Sequence, residues 1–335
     1  MKTDTSIEQS VREPCAREKA AGKMKNAIDF MKKRGIWAIL LIIVVVLSLL
    51  EPRFLSFGNL INVLQQSAVY GVIAIGMTFL MINGYFDLSV GTVMGLCACL
   101  AVGLQDYGLA VAIIGALAVG ATIGAINGFL VAKAGINAFV VTLASMFGAR
   151  GLVFIYTGEQ PIVGSVAAFR EFGASSIGFM PTLALLFLVL LIIAELYLRY
   201  SNHGRNTYAI GGNYEAASNA GISVNRTILI NFIMTGTAAA LAGIMVASRM
   251  NAATPALGWP DTNLMIIASV VLGGTKLTGG YGSMIKTLGG VLAIGIFRNG
   301  MNLLNVPSYY NMLFLGIILI LVVFADSRFS PAKKS

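Results

Sequence analysis

Residues 109–132 read LAVAIIGALAVGATIGAINGFLVA, a stretch with no charged side chain and no alternation of polar with apolar positions. As a helix rising about 1.5 Å per residue it is long enough to cross a hydrocarbon core of about 30 Å. Leu, Ile, Val, Ala and Gly run together without the two-residue period that a membrane barrel strand needs. Outward from this segment, apolar stretches recur along the whole chain: Ile36–Leu50, Val69–Asn83, Ser89–Leu104 and Ile136–Tyr156, then Pro181–Arg199, Thr227–Ser248, Leu264–Gly274, Ser283–Leu304 and Asn311–Ala325. The expected fold class is all-α, a polytopic transmembrane helical bundle of about ten spans. The shorter spans are expected to extend into flanking residues or to bury their ends in protein.

Composition agrees. Of 335 residues, 57% are hydrophobic and 11% charged, with a mean hydropathy of +0.83. Soluble domains carry about 25% charged residues, and a water-exposed surface built from this chain would be one large apolar patch. The net charge of +9 does not point to nucleic acid, because nine of the 23 Lys and Arg precede Gly35 and Lys333 and Lys334 close the other end. With the N-terminus inside, the inner segments hold 17 basic residues, including Lys133, Arg199, Arg205, Arg226 and Lys276; the outer ones hold Arg53, Arg170 and Arg249. Such a bias orients membrane proteins with their basic loops in the cytoplasm, so both termini are expected there. The expected organisation is a basic, disordered cytoplasmic tail over 1–34, not a cleaved signal; a transmembrane domain over 35–326; and a short cytoplasmic tail over 327–335.

Other chemistries find no foothold. There is no G-x-x-x-x-G-K-[ST] phosphate loop and no His, Cys and carboxylate spacing for a metal. Catalytic, cofactor and metal sites are therefore not expected, and neither is any nucleophile–base pair of a membrane enzyme. The single histidine, His203, reads as a surface residue of an inner loop, and Cys97 and Cys99 as small core residues. Gly120, Gly124 and Gly128 recur every four residues on one helix face, which suits close helix packing within the chain better than a dedicated dimer seam.

Three segments stand out. The first is Gly76-Met77-Thr78 with Asn83-Gly84-Tyr85-Phe86-Asp87-Leu88-Ser89-Val90-Gly91. The second runs Tyr208-Ala209-Ile210-Gly211-Gly212-Asn213-Tyr214-Glu215-Ala216-Ala217 and ends at Gly221-Ile222. The third is Val270-Val271-Leu272-Gly273-Gly274-Thr275 with Gly279-Gly280-Tyr281-Gly282-Ser283. With Asn137-Ala138-Phe139-Val140-Val141-Thr142-Leu143 and Arg150-Gly151, they make the region from Phe54 to Asp326 closely resemble the permeases of ribose-type monosaccharide ABC importers. That resemblance implies import of a neutral monosaccharide by alternating access across a bacterial inner membrane. It also implies a second permease copy, cytoplasmic ATP-binding subunits and a periplasmic sugar-binding protein as partners.

Within that resemblance, Gly211, Gly212, Asn213, Glu215, Ala216, Ala217 and Gly221 form the expected ATPase-coupling loop, with Asn213 capping a short helix and Glu215 near its positive end. Asn83, Tyr85, Phe86, Asp87, Asn299 and Asn302 are candidates for the sugar path or gate, since neutral hydroxyls suit amides and aromatic faces. Asp87 is favoured as a cap on the helix beginning near Ser89 over a direct gating role. The family usually has glycine where Tyr85 stands and asparagine where Arg298 stands; Arg298 reads as a cation snorkelling toward the outer surface. Arg150, Gly273 and Gly274 are read as structural, Arg150 being buried and in need of a carbonyl or carboxylate, with Glu159 one candidate. The alternative is an ion-coupled secondary transporter, for which Asp87 and Glu195 are the available carboxylates.

Overall fold

Each apolar segment is a helix in the computed structural model, which describes residues 35–329. The expected tail over 1–34 and residues 330–335 lie outside the described residues. The helices are α1 (Gly35–Leu50), α2 (Phe57–Ile82), α3 (Val90–Gly103), α4 (Leu109–Ala132) and α5 (Ala138–Thr157). After a short α6 (Ala167–Ala174) come α7 (Thr182–Tyr200), α8 (Asn202–Gly212), α9 (Tyr214–Asn219), α10 (Val224–Met250), α11 (Thr262–Leu272), α12 (Met284–Leu303) and α13 (Ser308–Phe329). Among the described residues α2, α4, α5, α7 and α10 are long and apolar enough to cross a membrane, which makes this a multi-pass membrane protein.

The largest boundary difference is at α2, which begins twelve residues before Val69, at Phe57. Asn59, Asn62, Gln65, Gln66 and Ser67 lower the hydropathy there, yet the helix persists, and two of these polar side chains, Asn59 and Asn62, are met by other elements. Asn59 exchanges two amide hydrogen bonds with Asn299 of α12, at 2.8 and 2.9 Å. Asn62 accepts from Arg249 at the end of α10. A 3-10 turn, Pro52–Leu55, leads into α2; beside it the Arg53 guanidinium holds the Glu51 carboxyl down to about 2.

The core forms around α3. This 14-residue helix is buried on nearly every side, as expected of a helix that is apolar all round. It packs against α4, α5 and α10. Cys97 and Cys99 are buried within it as small side chains. The α4–α10 crossing is the most intimate in the molecule. A Cβ on Gly124 would lie 2.4 Å from Phe232 O, and one on Gly236 would lie 2.3 Å from Gly120 O. The glycine stripe of α4 is thus consumed inside the chain, as its spacing suggested.

Chain direction sorts the helix ends into two sets. One end gathers the C-termini of α2, α4, α7 and α11, the N-termini of α3, α5, α10 and α12, and all of α8 and α9; we call it the inner end. At the other end the long loop after α5 is not bare connection. It contains α6, whose Gly173 packs on Ser248 and Arg249 of α10, and a strand, β1 (Ile162–Val163). Three further two-residue strands are β2 (Ser176–Ile177), β3 (Met180–Pro181) and β4 (Ala252–Ala253); β1 pairs antiparallel with β4 and β2 with β3. Gln105 ties this cover to the bundle by donating to Asn251 and accepting from Val166 N.

Candidate functional site

The three distinctive segments, far apart in sequence, meet at the inner end, and glycine is what lets them meet. Gly280 N donates to Ile82 O at 2.8 Å, joining the loop before α12 to the last turn of α2. Gly211, near the end of α8, is seated against that hydrogen bond: a Cβ there would lie 1.8 Å from Ile82 O and 2.5 Å from Gly280 N. A Cβ on Gly279 would lie 3.0 Å from the Cα atoms of both Gly211 and Gly84. The adjacent Gly212 has open space around its own missing Cβ. Tyr208 reinforces the junction by donating its hydroxyl to Gly282 O at 2.8 Å. Burial, with Glu195 and Tyr281 nearby, pushes this phenol up to about 12, so it remains a donor.

From this junction the chain enters the break at 83–89. Asp87 is 1% exposed, and its Oδ1 accepts from Ser89 N at 2.7 Å and from Ser89 Oγ at 2.6 Å. It holds one amide and the hydroxyl of Ser89, the residue before α3, so it fixes the turn that enters the helix rather than capping the helix's own amides. Asn127 of α4 donates to Asp87 Oδ2 and Ser89 Oγ and accepts from Ser145 of α5, so α3, α4 and α5 are pinned at one buried point.

A second buried network lies beside the first. Asn231 of α10 donates to Asn83 Oδ1 at 3.3 Å and to Thr207 Oγ1 at 3.4 Å, and its Oδ1 meets His203 Nε2 at 2.8 Å. His203 is therefore half-buried and partnered rather than a free surface residue. Its ring stacks on Tyr197 with centroids 5.7 Å apart and lies near Phe79, and it links α8 to α10 and α2. Asn83 Nδ2 is buried with no partner. Asn127, Asn231 and His203 are the residues that sequence reading missed. Both asparagines are lone amides in apolar helices, the same signal that drew attention to Asn83 and Asn299.

The short helix α9 has its expected cap: Ala216 N donates to Asn213 Oδ1 at 3.0 Å. Glu215 and Ala216 are exposed, Ala217 is buried, and Gly221 closes the helix at φ +80. Between α9 and the break lies a cleft of about 490 Å³, lined among others by Tyr85, Phe86, Asn137, Phe139 and Tyr214. Gly273 packs on the α12 backbone at Lys286, and Gly274 turns the chain at φ +90, in line with a structural role for both.

The remaining candidates lie elsewhere. Asn299 and Asn302 sit near the far end of α12, and Asn59, which holds Asn299, is separated from Asn83 by about 36 Å of α2. The Asn299 amide is consumed by its pair with Asn59, and Asn302 is exposed. Arg150 is partly exposed rather than buried, and its partner is not Glu159. Its Nη1 donates to Pro255 O at 2.5 Å, and the guanidinium lies over Phe154 and Trp259, at 4.5 and 5.3 Å from the ring centroids. Arg298 packs inward on Tyr70 and Met265. Glu195 accepts from Met284 N at 3.1 Å, capping α12 from a neighbouring helix.

A profile of the protein family described as branched-chain amino acid transport system / permease component matches residues 59–323. A ribose import permease protein of Escherichia coli K12 is 38% identical over 305 residues, covering 89% of this chain and 94% of the relative. A ribose import permease protein of Bacillus subtilis strain 168 is 40% identical over 302 residues, with the same coverage of each. A D-allose transport system permease protein of E. coli K12 is 34% identical over 317 residues, covering 93% of this chain and 97% of the relative. No solved structure matches the chain.

Proposed function

Since this chain belongs to that permease family, on the branch of ribose-type sugar ABC importers, we propose that it couples ATP-driven closure of separate cytoplasmic subunits to monosaccharide passage. It is the transmembrane subunit of a monosaccharide importer, with ATP hydrolysis in partner subunits and sugar delivered by a periplasmic binding protein. It works as one of two permease copies in a bacterial inner membrane, with about ten spans and both termini in the cytoplasm. Kinship along nearly the whole length of sugar permeases supports this reading, and the sorting of Lys133, Arg199, Arg205, Arg226 and Lys276 to the inner end supports the orientation.

The observation that carries the coupling mechanism is the glycine junction. An ATPase surface that takes hold of α9 moves α8 with it, and α8 is wedged by Gly211 against the last turn of α2 and the loop before α12. Displacement at α9 therefore reaches the break at 83–89 as rigid-body motion rather than being absorbed by a slack loop. The aromatic cleft at Tyr85, Phe86 and Tyr214 lies along this line and gives a neutral sugar faces to slide over without tight binding. Asn83 Nδ2 is a buried donor without an acceptor, so a shift that gave it one would gain a hydrogen bond. An ion-coupled cycle would need a carboxylate free to titrate or ligate an ion, whereas Asp87 and Glu195 both hold helix starts.

The test is uptake of labelled ribose, allose and arabinose by cells carrying the whole importer, with the Glu215→Lys variant alongside. The variant should reach the membrane in normal amount yet fail to couple. Normal uptake by it would sink the docking role of α9. Uptake that persists without the ATP-binding subunits, driven by an ion gradient, would overturn the importer reading itself.

A further inference from the structure

Where α4 and α10 separate at the inner end, a cleft of about 570 Å³ opens beside the one already described. Its floor is the last tight contact of the crossing, where a Cβ on Gly128 would lie 3.0 Å from the Leu229 Cα. Phe129, Ile222 and Val224 add apolar wall above that floor. Two cations, Lys133 at the end of α4 and Arg226 in the first turn of α10, line its mouth, and no carboxylate does.

The cations at the inner end are engaged to different degrees. Arg205 is held by Tyr200 O and Asn202, and Arg199 lies over the Tyr200 ring. Lys286 bonds the Tyr281 hydroxyl. Lys133 has the Phe129 ring at 5.8 Å, and Arg226 makes no hydrogen bond or ion pair among the described residues. The first turn of α10, which has no side-chain cap, adds its positive end to the same space. Phe129 of that wall and nearby Ile126 are half-exposed on a helix long and apolar enough to cross a membrane, a surface suited to acyl chains.

A basic mouth, an apolar wall and the half-exposed apolar side chains beside it complement an anionic phospholipid. We propose that the cleft between α4 and α10 binds the phosphodiester headgroup of an anionic inner-leaflet lipid between Lys133 and Arg226, with its acyl chains along Phe129 and Ile126. The shared chemistry with a free phosphate ion is the phosphate group; the apolar wall and the half-exposed Phe129 and Ile126 favour the lipid. This proposal goes beyond the transport reading and does not depend on which sugar is carried.

The experiment uses the full chain in detergent, titrated with phosphatidylglycerol or phosphatidylcholine of matched acyl chains and followed by native mass spectrometry. Phosphatidylglycerol should bind as a saturable single adduct in preference to phosphatidylcholine. A cation near a membrane surface contributes roughly fivefold in affinity, so K133Q/R226Q should weaken the adduct by about thirtyfold. The charge-preserving K133R/R226K should restore binding, and R199Q, at an inner-end cation outside the cleft, should not change it. Equal binding of the two lipids, or undiminished phosphatidylglycerol binding by K133Q/R226Q, would overturn the proposal. Displacement of the lipid by millimolar inorganic phosphate would make this a small-anion site instead. Loss of ATP-binding-subunit association in K133Q/R226Q with lipid binding unchanged would make it a partner surface.

Discussion

Gly211 and Gly212 are neighbours in the same segment, and the structure separates them sharply. A methyl group on Gly211 would lie 1.8 Å from Ile82 O, about 1.6 Å closer than the shortest ordinary contact. The three nearest atoms, Ile82 O, Gly280 N and Ile82 C, all belong to the backbone, so no side chain can swing away. Accommodation must drive α8 off the end of α2 and strain or break the Gly280 N to Ile82 O hydrogen bond. Overpacking costs about 1–3 kcal/mol, and a buried backbone group left unpaired about 1–3 kcal/mol more, so Gly211→Ala should destabilise by about 2–6 kcal/mol. Helix propensity favours alanine by up to about 1 kcal/mol at either position, so it cannot produce a difference of that size between them. Gly212→Ala meets nothing within 4 Å and should be neutral or slightly stabilising. Thermal unfolding of both purified variants in lipid nanodiscs, with sugar uptake by the assembled importer, reads the contrast. Equal midpoints and equal uptake for the two would refute the wedge and the coupling path built on it.

Three further outcomes follow from the geometry. Asn231→Leu strips the partners from Asn83 Oδ1 and His203 Nε2, which should cost about 1–3 kcal/mol; a double-mutant cycle with His203→Gln should be non-additive by more than about 0.5 kcal/mol, and additivity would break the proposed link between α8 and α10. Arg150→Lys keeps the charge but loses the planar stack on Phe154 and Trp259, a loss of about 1 kcal/mol that should shift Trp259 emission; an unchanged spectrum would show that the stack is not populated. The Glu51 carboxyl is lowered from 4.5 to about 2 by Arg53, so its pairing is complete above pH 4.5 and is lost as the pH falls through about 2; an NMR titration with a midpoint near 4.5 would contradict the pairing.

Much of the fold was legible because lipid imposes a simple rule: a long uncharged run must be a helix. That rule located α4 to the residue and every other apolar segment to within a few positions. It failed at the start of α2, where Asn59 and Asn62 are polar to a hydropathy window but partnered in space. It also read the segment holding α8 as an inner loop, because that helix is not apolar enough to announce itself. The site was legible in part. Local chemistry gave the Asn213 cap and the Asp87–Ser89 turn, since both involve residues two or three apart, though Asp87 does not cap the amides of α3 itself. His203 was misread because its burial comes from Tyr197, Phe79 and Asn231, which no local pattern brings near it. Asn299 was taken for a path residue because its partner lies 240 positions away.

Sequence alone determined that this chain is a multi-pass membrane protein and which of its segments are apolar helices, and its likeness to a known family drew attention to three glycine-rich stretches. The first conclusions rest on hydropathy and charge and the last on the resemblance, none of which needs knowledge of who touches whom. Only the tertiary structure decided why the glycines are there. Backbone atoms of Ile82, Gly211 and Gly280 approach within a distance that no side chain permits, and that contact exists only once α2, α8 and the loop before α12 have packed together.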